Sequence, residues 1–249
     1  MQIHYLTAMQ IPQPEQCIFI DIETVSQQPD FKQLPAEWQS LFEEKTSWLQ
    51  TENSTPESLY QEKAAIMAEF GKIICISVGY LRKDAAGKFE LRLKSFYGDD
   101  EAVVLTMFVQ SVTQLMQARK MRMWFAGHNI REFDIPYICR RLLVQGQSLP
   151  QWLDFQALKP WDVPLLDTLQ LWKFGDYKHF TSLKLLAACL GIASPKQDLD
   201  GSMVGNAYWQ EKALDKIVSY CQRDVLTVAQ LLLRFSQLPL LNDEQVVVQ

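Results

Sequence analysis

The stretch that decides the fold is Cys17-Ile-Phe-Ile-Asp-Ile-Glu23, an apolar run that ends in two carboxylates. Short apolar runs of this kind are typical of central strands that are buried on both faces. Side chains two positions apart in a strand point to the same side, so Asp21 and Glu23 face one spot. An Asp-x-Glu pattern arises about once by chance in a chain of this length. Taken alone it indicates no more than a solvated strand end.

Two further strands are predicted at residues 72–81 and 89–97, and the residues between them include Asp84 and Gly87, which favour a hairpin. The periodicity of the remaining sequence predicts a helix over 99–118, a strand over 121–126, a helix over 133–144, a short strand over 165–171, and helices over 182–190 and 215–235. The apolar side of the first of these helices is expected to hold Val103, Val104, Met107, Phe108 and Val112. A hairpin followed by alternating strands and helices predicts an α/β fold, with one mixed sheet flanked by helices.

The region between the first two strands differs from the rest of the chain because it is rich in Gln, Glu, Ser and Pro. Loops of this length without secondary structure are uncommon in compact domains. We therefore predict a helical insertion at about 24–70 within a single domain that covers residues 1–249. Trp38 and Trp48 lie in this insertion, and if exposed they would form a lid over a substrate.

Composition and charge limit the classes of function. The chain has 249 residues, 48% of them hydrophobic, with 24 Lys+Arg against 29 Asp+Glu. This composition excludes a disordered or fibrous protein, and the acidic balance excludes a strongly basic wrapper of nucleic acid. No apolar run approaches the roughly 20 residues of a membrane span, and the N-terminal residues lack the features of a signal peptide. We expect a cytoplasmic protein without a membrane partner.

A second acidic cluster follows the strand predicted at 121–126. It reads Gly127-His-Asn-Ile-Arg-Glu-Phe-Asp-Ile-Pro136 and leads into a helix. Asp134 lies near the start of that helix, where the helix dipole favours an acidic side chain, so capping is its simplest role. Asn129 is suited to capping or bracing the turn.

The third cluster is Tyr220-Cys-Gln-Arg-Asp224, within the last predicted helix. Tyr220 and Asp224 are four residues apart and therefore share a helix face. Seen alone, they would be an ordinary pair on a helix surface.

Together the three clusters supply four carboxylates, Asp21, Glu23, Asp134 and Asp224, each on an element that can pack at the same edge of the sheet. Carboxylates gathered at one site repel one another and need cations to hold them. Oxygen ligands without a Cys or His cluster favour Mg²⁺ or Mn²⁺ over zinc. Two such ions about 3.5–4 Å apart stabilise the attacking and leaving oxygens of an in-line phosphoryl displacement.

The three clusters resemble the three motifs of the DEDDy branch of the 3′–5′ exonucleases: Asp21-Ile-Glu23, Asn129-x3-Phe133-Asp134 and Tyr220-x3-Asp224. Within that superfamily the chain is similar to the stand-alone bacterial exonucleases related to the exonuclease domain of family B DNA polymerases. The segments 69–79, 190–196 and 200–202 also resemble that group. The resemblance covers about residues 17–234.

This resemblance implies a ribonuclease H-like fold and a two-metal mechanism with Mg²⁺ or Mn²⁺. It implies that Asp21 bridges both ions and that Glu23 and Asp224 complete the site of the ion that activates water. Asp134 would hold the second ion. Tyr220 would position the attacking water through its hydroxyl without acting as a free base, because an ordinary tyrosine pKa is about 10.

Further residues are candidates for contact with the substrate. The resemblance implies that Asn129 and Phe133 support the site or contact the terminal nucleotide, and we expect Thr24, next to Glu23, to contact the substrate as well. His179 follows basic residues and is a candidate for a phosphate contact, although a lone histidine is more often a surface residue. Aromatic residues at 152–177 are expected to pack in the core, with stacking on single-stranded bases as the alternative.

The function expected from these observations is hydrolysis of single-stranded DNA from its 3′ end. An exoribonuclease of ribonuclease D type is the chemically adjacent alternative, because discrimination between DNA and RNA rests on contacts to the sugar 2′ position. A nucleic-acid-binding protein that has lost catalysis is the third possibility. The complete set of four carboxylates and Tyr220 argues for an active enzyme.

Overall fold

A mixed sheet forms the centre of the computed structural model, which describes residues 12–159, 162–176, 178–193 and 199–249. In these residues the sheet has the order β5-β4-β1-β2-β3-β6. β1, β2 and β3 form an antiparallel meander, whereas β4 is parallel to β1, β5 to β4, and β6 to β3. The strands are β1 (Cys17–Ser26), β2 (Gly71–Lys83), β3 (Phe89–Tyr97), β4 (Trp124–Gly127), β5 (Leu165–Asp167) and β6 (Val246–Val248).

Helices cover both faces of this sheet, so the predicted α/β fold, with one mixed sheet flanked by helices, is confirmed. They are α1 (Ala36–Thr46), α2 (Pro56–Lys63), α3 (Glu101–Arg119), α4 (Asp134–Val144), α5 (Thr168–Lys173), α6 (Leu183–Cys189), α7 (Val204–Trp209) and α8 (Leu214–Phe235). In the part of the chain that the structure describes, none of them is long and apolar enough to cross a membrane.

The two faces of β1 pack against different helices. Ile18, Ile20 and Ile22 join the core formed with α3 and α4, whereas Cys17 and Phe19 join the core formed with α8. Because side chains alternate along a strand, the next odd-numbered residues belong to the α8 face. This alternation places the carboxylates of β1 opposite the helix that carries the third acidic cluster.

Three expectations about the elements were wrong. β1 does not end at the two carboxylates, because β2 continues to pair with it as far as Ser26. The buried side of α3 includes Leu105 but leaves Val103 and Met107 exposed, since the apolar stripe that meets the sheet is centred about one position later. The strand predicted over 165–171 ends at Asp167, because this residue caps the helix α5 by accepting the Leu169 N–H at 2.9 Å.

The segment between β1 and β2 folds as short helices around aromatic rings of its own. Phe31, Phe42, Tyr60 and Phe70 pack at centroid distances of 5.0–5.9 Å, mostly edge to face. Since β1 runs to residue 26, this helical segment begins slightly later than the predicted position 24. Assignment of residues 1–249 to one domain stays a prediction.

A buried ion pair ties α3, α4 and β2 together. Arg141 Nε donates to Glu101 Oε1 at 2.8 Å, and its Nη1 donates to the Ala68 carbonyl at 2.8 Å. The same carboxylate accepts the N–H of Ile73 at 2.7 Å. Both side chains of the pair are buried, so each depends on the other for neutralisation.

We expect Arg141→Met to lower the free energy of unfolding by about 3–5 kcal/mol, because it leaves the Glu101 carboxylate buried without its counter-charge. Arg82→Met removes an exposed pair with Glu90 and serves as the matched control, with a much smaller effect since solvent screens that pair. Urea denaturation of the three proteins measures both changes. Equal losses in the two variants would contradict a structural role for the buried pair.

Candidate functional site

Asp21 and Glu23 lie inside β1, beside an irregularity in its pairing with β2. Glu23 lies opposite Cys75, whereas Thr24 lies opposite Ile73, so β2 contains one extra residue at this point. Such bulges are over-represented next to active sites because they redirect side chains. Glu23 is buried, and Oδ2 of Asp21 is a buried atom with no hydrogen-bond partner among the described residues.

Asp134 joins these two carboxylates through the backbone of β1. β4 pairs with β1 only as far as Phe19, which leaves the next part of that strand edge free of strand partners. The N–H of Ile22 donates to Asp134 Oδ1 at 3.2 Å. Asp134 is the first residue of α4 and is itself buried, so the start of this helix is held against the carboxylate pair.

The helix α8 brings the third cluster to the same place. The thiol of Cys221 donates to the Asp21 carbonyl at 3.3 Å, which holds the helix against the strand. Possible ligand atoms of Asp21, Glu23 and Cys221 all lie within 4.8 Å of one another. Tyr220 and Asp224 flank Cys221 on the helix, and Asp224 acts electrostatically on both carboxylates of β1.

Burial raises the pKa of every carboxyl group in this cluster, and repulsion by neighbouring charges raises it further for all but Asp224. Burial first, then the charges of Glu23 and Asp224, raise the pKa of Asp21 well above its usual range. The pKa of Glu23 is raised in the same way. Burial raises the pKa of Asp134 to about 7, and it raises that of Asp224 to about 6 although the Tyr220 hydroxyl opposes the change.

These residues fit divalent cations. Four buried or half-buried carboxylates supply hard oxygen ligands. One of these oxygens, Oδ2 of Asp21, accepts no hydrogen bond from any of the described residues. Burial raises the pKa of Cys221 well above its ordinary value, so the nearby thiol stays protonated and adds no charge. The cluster therefore has the oxygen-rich composition of a Mg²⁺ or Mn²⁺ site.

The other predicted substrate contacts have different surroundings. The Thr24 hydroxyl donates to the Ala65 carbonyl at 2.8 Å, and the Phe133 ring packs against Tyr137 at a centroid distance of 5.4 Å. His179 is exposed, and its Nδ1 lies 3.0 Å from Asp176 Oδ2.

Asn129 occupies the turn between β4 and α4 in the left-handed conformation, with φ of +66°. Its backbone N–H donates to Asp167 Oδ1 at 3.0 Å. That carboxylate also accepts the N–H groups of Arg131 at 3.3 Å and Leu169 at 2.9 Å. Asp167 therefore braces the turn that leads to Asp134. The side-chain oxygen of Asn129 is buried and, in the described part of the chain, has no hydrogen-bond partner.

Cys221 was not identified from the sequence as part of the site, and the partners of His128 were not predicted. Cys221 lies within the third motif, but a cysteine among apolar residues gives no signal beyond core packing. The imidazole of His128 makes two hydrogen bonds. Its Nδ1 lies 2.9 Å from the Thr168 hydroxyl, and its Nε2 donates to the Thr181 carbonyl at 2.8 Å. These partners are distant in sequence, so no local pattern could have indicated them. Trp161, Tyr177 and Lys196 lie outside the described residues.

The sequence was compared with known families. Residues 65–244 match a family described as a predicted 3′–5′ exonuclease related to the exonuclease domain of PolB. The chain belongs to this family. The matched residues include Asp134, Tyr220 and Asp224, whereas Asp21 and Glu23 precede them and join the site through the fold.

Among solved structures, the chain is similar to the family B DNA polymerase from the hyperthermophilic archaeon Pyrobaculum calidifontis. The identity is 18% and the TM-score 0.49, with 87% of this chain and 24% of the polymerase chain covered. The chain thus spans about a quarter of the polymerase's length. A search of curated proteins gives no significant match.

The pKa values predict a pH-dependent stability without divalent cations. The pKa of Asp134 is about 7 and that of Asp224 about 6 in the folded chain, against about 4 in an unfolded one. Between those values the folded state binds more protons than the unfolded state, so the free energy of unfolding falls as the pH rises. In EDTA we expect the Tm to fall between about pH 5 and about pH 8.

Addition of Mn²⁺ at the higher pH should restore the Tm, since ions that bind only the folded state stabilise it. Asp21→Asn removes one of the interacting charges and should flatten the pH dependence in EDTA. Differential scanning fluorimetry across the pH range makes both measurements. A Tm in EDTA that is constant or rises with pH would contradict the cluster's raised pKa values.

Proposed function

We propose that the protein is a metal-dependent 3′–5′ exonuclease that hydrolyses phosphodiester bonds from the 3′ end of single-stranded DNA. The observation that carries this proposal is the convergence of four carboxylates from β1, α4 and α8 at one spot, where an Asp21 oxygen has no partner among the described residues. Membership of a predicted exonuclease family supports nuclease activity independently. Its relation to a DNA polymerase domain favours DNA over RNA.

Asp21, Glu23, Asp134 and Asp224 are the residues that would hold two divalent ions, Mg²⁺ or Mn²⁺. Such ions lower the pKa of water and neutralise charge that develops on phosphoryl oxygens. The protein's part is to hold the four side chains in place. The Ile22 N–H donates to Asp134 and holds its carboxylate in place. Asp21 lies on the central strand β1, and its backbone carbonyl accepts a hydrogen bond from the Cys221 thiol.

Tyr220 acts in this proposal as a hydrogen-bond donor. Burial and the charges of Asp224 and Glu23 raise its pKa above the ordinary value of about 10, so the hydroxyl remains protonated at neutral pH. A protonated phenol cannot remove a proton from water, but it can orient a water molecule or the Asp224 carboxylate. This role agrees with its position one helical turn from Asp224.

Replacement of Asp21 or Asp224 by Asn should abolish digestion of 5′-labelled single-stranded DNA with Mg²⁺ or Mn²⁺. In other enzymes, mutation of residues that only support the metal ligands lowers metal affinity or activity by about 10–100-fold. Loss of a direct ligand should therefore lower the rate of digestion by more than about 100-fold. Asp243→Asn, at an exposed position in the last residues, is the matched control and should digest DNA normally. EDTA should stop the reaction in every active protein.

The products and the substrate decide between the possible functions. A ladder that shortens from the 3′ end of DNA supports the proposal. Preferential digestion of labelled RNA would replace it with an exoribonuclease of ribonuclease D type. Folded protein that binds nucleic acid without cleaving either strand would identify a binding protein instead.

Tyr220→Phe separates positioning from metal binding. Loss of one positioned donor should lower kcat by about 100-fold, because the phenyl ring fills the same space without the hydroxyl. The increase in Tm on addition of Mn²⁺ should stay as in the parent protein, since all four carboxylates remain. Unchanged kcat would show that the hydroxyl has no part in the reaction.

A further inference from the structure

We propose that Phe180 is a stacking platform for a nucleobase near the 3′ end of the bound single strand, beside the carboxylate cluster. This inference rests on the proposed function and adds a base-binding subsite to it. It depends on the exposure of the ring, its position, and the contacts that hold it.

The Phe180 side chain is turned outward. The residue is 66% exposed and belongs to none of the apolar cores found in the described part of the chain. Single exposed apolar residues are common on protein surfaces, so exposure alone indicates no function. The position of Phe180 is what distinguishes it from the others.

The first positional observation is the contact between Phe180 and His128. The two rings lie 6.2 Å apart between centroids at an interplanar angle of 77°. Ala126 of β4 pairs with Phe19 of β1 in parallel register. His128 is the first residue after β4, and Asp21 lies two residues beyond Phe19 on β1. Phe180 therefore contacts the residue that follows β4, the strand that lies beside β1 and its carboxylates.

The second observation comes from the residues that follow Phe180. Ser182 and Lys184 line a cavity of about 220 Å³ together with Tyr220, Asp224 and Thr227. The chain thus passes from Phe180 directly into the wall of a cavity that the proposed catalytic residues also line. The exposed ring thus contacts the end of β4, and the cavity wall shared with α8 begins two residues after it.

The ring is also held before any ligand binds. His128 Nε2 donates to the Thr181 carbonyl at 2.8 Å, and its Nδ1 contacts the Thr168 hydroxyl at 2.9 Å. The half-buried imidazole thereby anchors the residue next to Phe180 and packs against the ring itself. An aromatic ring that is already positioned loses less conformational freedom when a ligand stacks on it.

A nucleobase is the ligand class that matches this arrangement. A flat apolar ring next to phosphodiester-cleaving carboxylates offers stacking, which is tolerant of sequence because every base has a π-face. The exposed Lys184 on the cavity wall supplies positive charge for a backbone phosphate. An exonuclease that removes nucleotides in succession requires contacts of this kind, which do not depend on the identity of the base.

The test is a double-mutant cycle in which one change is made in the protein and one in the DNA. Phe180→Ala removes the ring, and oligonucleotides that lack one base remove its proposed partner. All proteins in the cycle carry Asp21→Asn, so that the DNA is not cleaved during the measurement. Affinity for 5′-fluorescein-labelled single-stranded DNA is measured by fluorescence anisotropy. We expect Phe180→Ala to weaken binding of the intact strand by about 5- to 150-fold. The stacked base is expected to be one of the last three of the strand. When that base is missing, Phe180→Ala should have little effect on affinity.

Two further variants separate stacking from loss of structure. Phe180→Trp keeps an aromatic face and should retain the affinity of the parent protein. Phe174→Ala removes a ring that is 88% exposed and contacts Trp172, and it should leave affinity unchanged. If Asp21→Asn protein does not bind, the same cycle is measured as kcat/KM of the active protein.

The outcomes distinguish this inference from the proposed function. If the parent protein digests DNA and Phe180→Ala leaves the affinity for DNA unchanged, the stacking subsite alone is overturned. Equal losses on intact and abasic strands would also overturn it, since the ring would then support structure and not a base. A chain that neither binds nor cleaves single strands would overturn the proposed function first.

Discussion

Mutual repulsion of four carboxylates at one buried place is the constraint on which the rest of the structure depends. Burying an unpaired charge is costly, so rigid elements must force these groups together. Asp21 and Glu23 are fixed on the strand at the centre of the sheet, and Asp134 is held by the Ile22 N–H. Cys221 attaches α8 to the same strand through the Asp21 carbonyl. The fold therefore provides, in advance, the charge density that divalent cations would neutralise.

Supporting residues surround this centre without sharing its chemistry. Asp167 accepts three backbone N–H groups and shapes the turn before α4, and His128 ties the end of β4 to Thr181. Both would pass for catalytic candidates in a list of polar residues. Their hydrogen bonds show that they position neighbouring segments. Sites supported in this way keep their geometry because the supporting side chains are themselves locked.

Most strands and long helices were predictable because their patterns are local. The hairpin of β2 and β3 and the amphipathic helix α8 follow from alternation and from helical periodicity. The short elements were not predictable: β6 has three residues and α7 has six, too few to show a period. The length of β1 was also missed, because pairing with β2 extends the strand beyond the apolar run.

By itself, the sequence determined that Asp21 and Glu23 share one side of a strand and that Tyr220 and Asp224 share one side of a helix. These relations follow from the fixed periods of the two structures. Only the tertiary structure decided that the helix meets that side of the strand, and that Asp134, 112 residues away, accepts the Ile22 N–H. It also placed Phe180 on His128. The physical reason is that periodicity orients neighbours along the chain, whereas contacts between distant segments arise only when the sheet and helices pack.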